Sequence, residues 1–542
     1  HTRLQGDWSS DVCSSDLART IVLHGGSYFD VALVLGPQDR NLTIEAAPGQ
    51  SPILYGGRQV TGWRKEAGPL YTASVPAVRD RSWDFRMLSV NGRFAPRARL
   101  GPLTHRSSFP VRWMSTTLGG WERKPTEAEL TTLVYQPGDL GKWLDVNNAE
   151  LTIYHQWDES VVGLQSHDLA TQTLRFVNPA GHPPGAFGGP GTKAQTFVVG
   201  NIREGLTEPG QWYLDRTAGK LVYWPLPGEE MATTEVIAPT TESVIHIAGD
   251  QENPVAGITL KGLTLAVTGT PLIAGGFGAI NFDGAVSASH ASDCALVGLT
   301  VMNVGGQGIK IQHGQRVLIE GCETHSTGAS GIICVHSNDI TLENCHVHHT
   351  GRSYPSALGI QVSGSNSLVA RNEIHHTTYC GIFGSGVGSR FERNLIYEVM
   401  QTLNDGAAIY VTSCKDFVIR SNVVYGNSGR NGTLSHAYYL DEQAENCVVE
   451  ENLAVNTGWP SHNHMARRCI IRRNVFVDDG TAKLTFPRCE GFTLSENIIV
   501  ARGGLTVSES DGCIAEMSRN VLFASAATIE RESLDKIGRA HV

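Results

Sequence analysis

The sequence predicts an all-β chain, a right-handed parallel β-helix solenoid with a β-sandwich inserted near its start. Three observations predict it. Apolar and polar residues alternate over short windows, and no long segment carries helical periodicity. The C-terminal half repeats one template, an apolar strand that reaches an asparagine and is followed by a second short strand: LVARNEIHH, RFERNLIYE, FVIRSNVVY, VVEENLAVN, IIRRNVFVD, TLSENIIVA. Glycine is abundant, at 60 of 542 residues, as expected of short strands broken by many turns.

The elements follow in chain order. The opening HTRLQGDWSSDVCSSDL and the closing IGRAHV both back-translate to the two strands of a common short-read sequencing adapter. Residues 1–17 and 537–542 are therefore expected to be translated adapter, with the protein truncated at both ends and any signal peptide outside the sequence. Residues 18–60, which contain RTIVLHGGSYFDVALVLGPQDRNLTIEAAPGQSPILYGG, read as the first β-helix coils. From 61 to 239 the repeat is interrupted by hairpin-like strands with Trp, Tyr, Pro and Gly turns, as in ELTIYHQWDES and GQWYLDRTAGKLVYWPLPGEE. This stretch is read as the inserted sandwich. The main helix runs over 240–536.

Within it, Asn372, Asn394, Asn422, Asn452, Asn474, Asn497 and Asn520 recur every 22 to 30 residues. A variable period with constant strand chemistry implies a fixed coil with loop insertions. The asparagines are expected to stack in a turn and satisfy backbone groups from coil to coil. Cys322 and Cys345 take the same slot upstream. Beyond Cys13 there are ten cysteines and no CxxC pair, which reads as stacked interior thiols rather than a metal site or disulfide framework. The formal net charge of −10 offers no broad attraction for nucleic acid. No apolar run is long enough to span a membrane.

The longest coils carry NDGAAIYV and HAYYLDEQ, which place Asp405 and Asp441 at the edges of two successive strands. Lengthened loops on one part of a solenoid commonly build its binding face. Two carboxyl groups on adjacent coils suit glycoside hydrolysis, one protonating the leaving oxygen and the other attacking the anomeric carbon or activating water. Turn chemistry is the competing account, since Asp before Gly and Asp after a strand are both common turn residues. Glu442 and Glu398 are the reserve carboxylates.

The substrate-contact candidates are His375, His376, Tyr410, His436, Tyr438, His462 and His464. His325, His348, His375, Tyr397 and Tyr425 all stand three positions after a ladder slot and form an outward stripe, which fits either sugar stacking or a ligand-free cross-coil ladder. CHVHH and SHNHM contain metal-ligand residue types without a diagnostic spacing, so no metal and no cofactor is expected.

The early interruption, carrying VNGRFAPRAR and WYLDRTAGKLVYWP, resembles the β-helical glycoside hydrolases of families 120 and 141. The resemblance covers nearly the whole chain outside the adapter-like ends. It implies that DGAAIY and AYYLDE stand for the family 141 motifs DGGAIY and GIYLDD, with Asp405 and Asp441 as the catalytic pair. Ala407 replaces a glycine of the first motif, and Glu442 an aspartate of the second. The resemblance also implies a secreted or periplasmic enzyme acting on plant or microbial polysaccharide, at an α-L-fucoside or xylan-type linkage. The alternatives are a β-helical polysaccharide lyase or epimerase, and a non-catalytic carbohydrate-binding surface protein. A lyase needs a Lys or Arg base and clustered acids for calcium. Arg371, Arg393 and Arg420 repeat beside the ladder and read as solvated strand positions.

Overall fold

The computed structural model describes residues 18–114, 120–188, 193–426, 435–510 and 512–532. Both adapter-like ends lie outside the described residues. The chain winds into a parallel β-helix of three sheets with 13 strands each. The first sheet starts at Arg19–Leu23, the second at Gly26–Tyr28 and the third at Leu33–Leu35. Each coil gives one strand to each sheet, and neighbouring coils pair in parallel.

The first sheet shows why these residues make these strands. Leu318–Glu320, Thr341–Glu343, Leu368–Ala370, Arg390–Glu392 and Val418–Arg420 are three residues long. Their central residues, Ile319, Leu342, Val369, Phe391 and Ile419, pair in one column and are all buried. The flanking residues face out, as strand alternation requires. Burying such a side chain contributes about 1.5–3 kcal/mol, so a continuous apolar column runs the length of the helix.

The asparagine ladder closes each first-to-second sheet corner. The backbone N–H and side-chain amide of Asn394 both donate to Asn422 Oδ1, at 3.0 and 2.9 Å. The same pair of bonds recurs from Asn372 through Asn497. Cys345 N–H donates to Asn372 Oδ1, so the cysteine holds the same slot below the ladder. The residue before each asparagine is left-handed, as at Arg371 (φ 56°), Arg393 (57°) and Ser421 (56°). That conformation costs a non-glycine residue about 1–2 kcal/mol, offset by the ladder bonds. The ten cysteines from Cys294 to Cys513 are free and buried, as interior thiols.

The helix is interrupted between Tyr55, at the end of a second-sheet strand, and Ile245, where the third sheet resumes beside Leu33–Leu35. Gly57–Gln59 and Val236–Pro239 pair antiparallel as the stem of the insertion. Above the stem the strands are antiparallel and build two cores. One surrounds Phe85, Trp212, Leu214 and Tyr223; the other surrounds Leu151, Ile153, Val162 and Phe197. Glu150 lies buried among Arg97 and Arg216, both at 2.6 Å, and Arg86 at 3.2 Å. Burial opposes the Glu150 charge, but the three guanidinium groups hold its carboxyl well below the usual range.

Candidate active site

The outward face of the third sheet carries the site. Gly406–Lys415 and Ser435–Leu440 are neighbouring parallel strands, with Tyr410 opposite Tyr439. Phe383 lies beside Tyr410 on one side, and His462 beside Tyr439 on the other. The Tyr410 and Tyr439 rings stack at 4.7 Å. Phe277, from the turn between Thr264–Ala266 and Gly284–Ser289 in an early coil of the main helix, packs on Phe383 at 5.0 Å and on Tyr379 at 5.8 Å. The result is an aromatic floor.

Asp405 enters the first of these strands in the left-handed conformation, φ 61°. Gly406 follows because a Cβ there would stand 2.6 Å from Cys380 Sγ and 2.7 Å from the Tyr379 ring. The Asp-Gly pair is thus a turn, and the turn delivers a carboxyl to the floor. Tyr379 Oη donates to the Asp405 carbonyl at 2.6 Å and fixes the backbone. Gln156 Nε2 donates to Asp405 Oδ2 at 3.2 Å, and Tyr439 Oη lies 3.5 Å from Oδ1. Burial and the neighbouring Asp441 charge push the Asp405 carboxyl up to about 6.

Asp441 directly follows the second strand and is buried. Tyr410 Oη donates to its Oδ2 at 2.6 Å, and His464 Nδ1 lies 2.8 Å from Oδ1. Arg488 meets the other nitrogen of His464, Nε2. A guanidinium only donates, so Nε2 accepts and Nδ1 carries the proton given to Asp441. Burial alone would raise the Asp441 carboxyl, but the hydrogen bonds from His464 and Tyr410 bring it below its ordinary value. Both aspartates bear on Tyr439, whose phenol is pushed well up by burial, then Asp441, then Asp405.

The expected residues sort as follows. Asp405, Asp441, Tyr410, His462 and His464 come together. Glu442 stands beside Asp441 and His464, within a three-residue group whose ligand atoms lie within 4.8 Å. His436 is buried and packs on the floor residues themselves, on His462 at 4.4 Å and Tyr439 at 5.2 Å, and on Trp459 at 4.7 Å. Tyr438 faces inward, in one column with Ile382 and Ile409, and its hydroxyl donates to the Asn422 and Leu453 carbonyls. The tyrosine that faces the aspartates is Tyr439, one residue on. Glu398 closes Leu395–Tyr397 on the second sheet, next to Gly426. His375 and His376 also belong to that sheet and its corner, where His375 stacks between His348 and Tyr397. Alternation alone does not say which of three sheets an outward residue occupies.

Gln156, Tyr379 and Arg488 have no sequence signal of their own. Gln156 comes from the insertion, and its carbonyl also accepts from Asn404 N–H at 3.1 Å. Trp157, next to it, packs against the helix core and on Phe187 at 4.0 Å. Arg371 and Arg420 pair on the outside with Glu343 and Glu451, consistent with solvated positions.

A family model described as "Right handed beta helix region" matches residues 284–458, and one described as "GH141 insertion domain" matches residues 68–226. Among solved structures the chain is similar to one titled "Glycoside hydrolase", at 19% identity and TM-score 0.62, covering 94% of this chain and 89% of that one. It also aligns with XylC in complex with xylose (11%, TM-score 0.47, 95% and 82%). A further alignment is with the Streptococcus pneumoniae surface protein and adhesin PfbA (12%, TM-score 0.36, 54% and 82%). The first likeness establishes the fold, and the other two are too distant to argue from. No curated protein matches the chain.

Proposed function

This chain is a right-handed parallel β-helix with a GH141 insertion domain, the architecture of a β-helical glycoside hydrolase, and from that premise we propose that Asp405 and Asp441 hydrolyse a glycosidic bond in plant or microbial polysaccharide. One observation carries this reading. Two carboxyl groups on adjacent coils share the Tyr439 phenol, and their surroundings drive their protonation in opposite directions. Such divergence assigns acid and base roles. Asp405, held protonated up to about pH 6, gives its proton to the leaving glycosidic oxygen. Asp441, held ionised by His464 and Tyr410, either attacks the anomeric carbon or takes a proton from the water that does. Water ends on the anomeric carbon, and Asp405 is reprotonated. Phe277 and His462, the half-buried rings of the floor, offer contact surfaces for a pyranose ring. The linkage, α-L-fucoside or xylan-type, rests on the family resemblance, as does secretion or a periplasmic location.

The test uses the full chain with Asp405→Asn and Asp441→Asn. Aryl α-L-fucoside, aryl β-xyloside and a polysaccharide panel are assayed together for reducing ends and ultraviolet absorbance. Reducing ends that vanish in both variants are the expected result. An unsaturated, absorbing product would move the protein to the lyases, and glycan binding without turnover would move it to the surface binders.

A further inference from the structure

The second sheet carries a patch that hydrolysis does not use. On its outward face two columns run side by side. One reads Glu323, His346, Glu373 and the other His325, His348, His375, with each residue paired to its counterpart on the next coil. Glu323 Oε1 lies 3.4 Å from His348 Nε2 and 3.8 Å from His346 Nδ1. Ligand atoms about 2.0–2.1 Å from a tetrahedral zinc stand about 3.3 Å from each other. All three ligand atoms lie within 4.8 Å of one another, so small side-chain adjustments bring them round one ion. Glu323 and His346 are 46% and 39% exposed, so ion and water can reach it.

The outer partners fit as well. A metal-bound histidine usually donates its other ring N–H to a neighbour, which fixes tautomer and orientation. His346 Nε2 lies 2.9 Å from His375 Nε2, and His348 Nδ1 lies 2.7 Å from His349 Nδ1. If both ligand histidines donate there, His346 Nδ1 and His348 Nε2 are bare and aimed at Glu323. The rings are held flat by stacking, His325 on His348 at 4.9 Å and 2°, and His348 on His375 at 4.9 Å and 5°.

We propose that Glu323, His346 and His348 form a binding site for one divalent transition-metal ion of the zinc type, with water completing the coordination. No spacing motif announces it, because the carboxylate and the histidines come from successive coils.

The test is titration of the chelator-stripped full chain with Co²⁺, read by visible absorption, and with Zn²⁺, read by calorimetry. About one ion per chain is expected. His346→Ala and Glu323→Gln should each weaken binding at least about tenfold while glycoside hydrolysis and melting temperature of the stripped protein stay unchanged. Absence of uptake overturns the proposal. So does uptake that survives His346→Ala, or that is lost instead in His464→Ala, which would place the ion at the Asp441, Glu442 and His464 group.

Discussion

At the scale of single residues, the two aspartates differ because of what points at them. Asp405 is half-buried beside a second negative charge and carries its proton up to about pH 6. As general acid it works only while protonated, so kcat/KM should fall as pH rises through about 6. Asp405→Asn should remove that limb and lower turnover by roughly 10²–10⁴-fold on substrates with poor leaving groups, and by much less on a dinitrophenyl glycoside. Equal loss on both substrates would exclude the acid role. Asp441 is held low by His464, and His464→Gln should shift the acidic limb upward, by about one pH unit. A pH profile that does not move would make His464 a packing residue only. The pair was legible in the sequence because each aspartate ends or begins an apolar strand in a lengthened coil. Tyr438 and Tyr439 were not separable, since the phase of alternation depends on register with coils whose loops vary in length. Gln156 was invisible for a different reason: nothing local marks a glutamine that reaches a carboxylate 249 residues away.

At the scale of elements, the insertion is tied to the helix through a second buried acid. Glu159 accepts from Ser356 N–H at 2.6 Å and from Ser356 Oγ at 3.4 Å. Burial and nearby Asp158 push its carboxyl up to about 8. Unfolded, it titrates near 4.5, so between those values the folded chain holds a proton that the unfolded chain has released. Stability should therefore fall as pH rises from about 4.5 to about 8. Glu159→Gln keeps an acceptor for Ser356 without the charge. It should raise the melting temperature at pH 8, by a gain on the order of a few kcal/mol, and make little difference at pH 4. A gain that is the same at both pH values would mean that the carboxyl does not titrate in that window. The ladder and the strands were legible because each coil repeats the same demand on Asn and on one inward apolar residue. The insertion was legible as hairpin strands that interrupt the repeat, but its docking onto the helix was not. Its docking is made by loop residues without period, and no repeat reports them.

At the scale of the molecule, the helix is a stack in which each coil's strands pair only with those of its neighbours. Whole coils can leave such a stack without disturbing the phase of those that remain. The coil 318–340 is a natural unit, since Leu318 pairs with Thr341 in the next turn. Its deletion should leave a folded β protein by circular dichroism yet abolish hydrolysis. Retained activity would show that the insertion does not reach the site.

That expectation follows from where the insertion is anchored. Its stem joins the helix beside Ile245–Ala248, and Asp405 leads into a strand six places further along the same sheet, about 29 Å at ~4.8 Å per strand. Gln156 spans that reach and meets Asp405 to within a hydrogen bond. The arm is a ruler and the coils are its graduations, so lineages of this chain are free to gain or lose whole turns above Asp441 but not between the anchor and Asp405. Coil number, normally the most changeable property of a solenoid, is here a counted quantity.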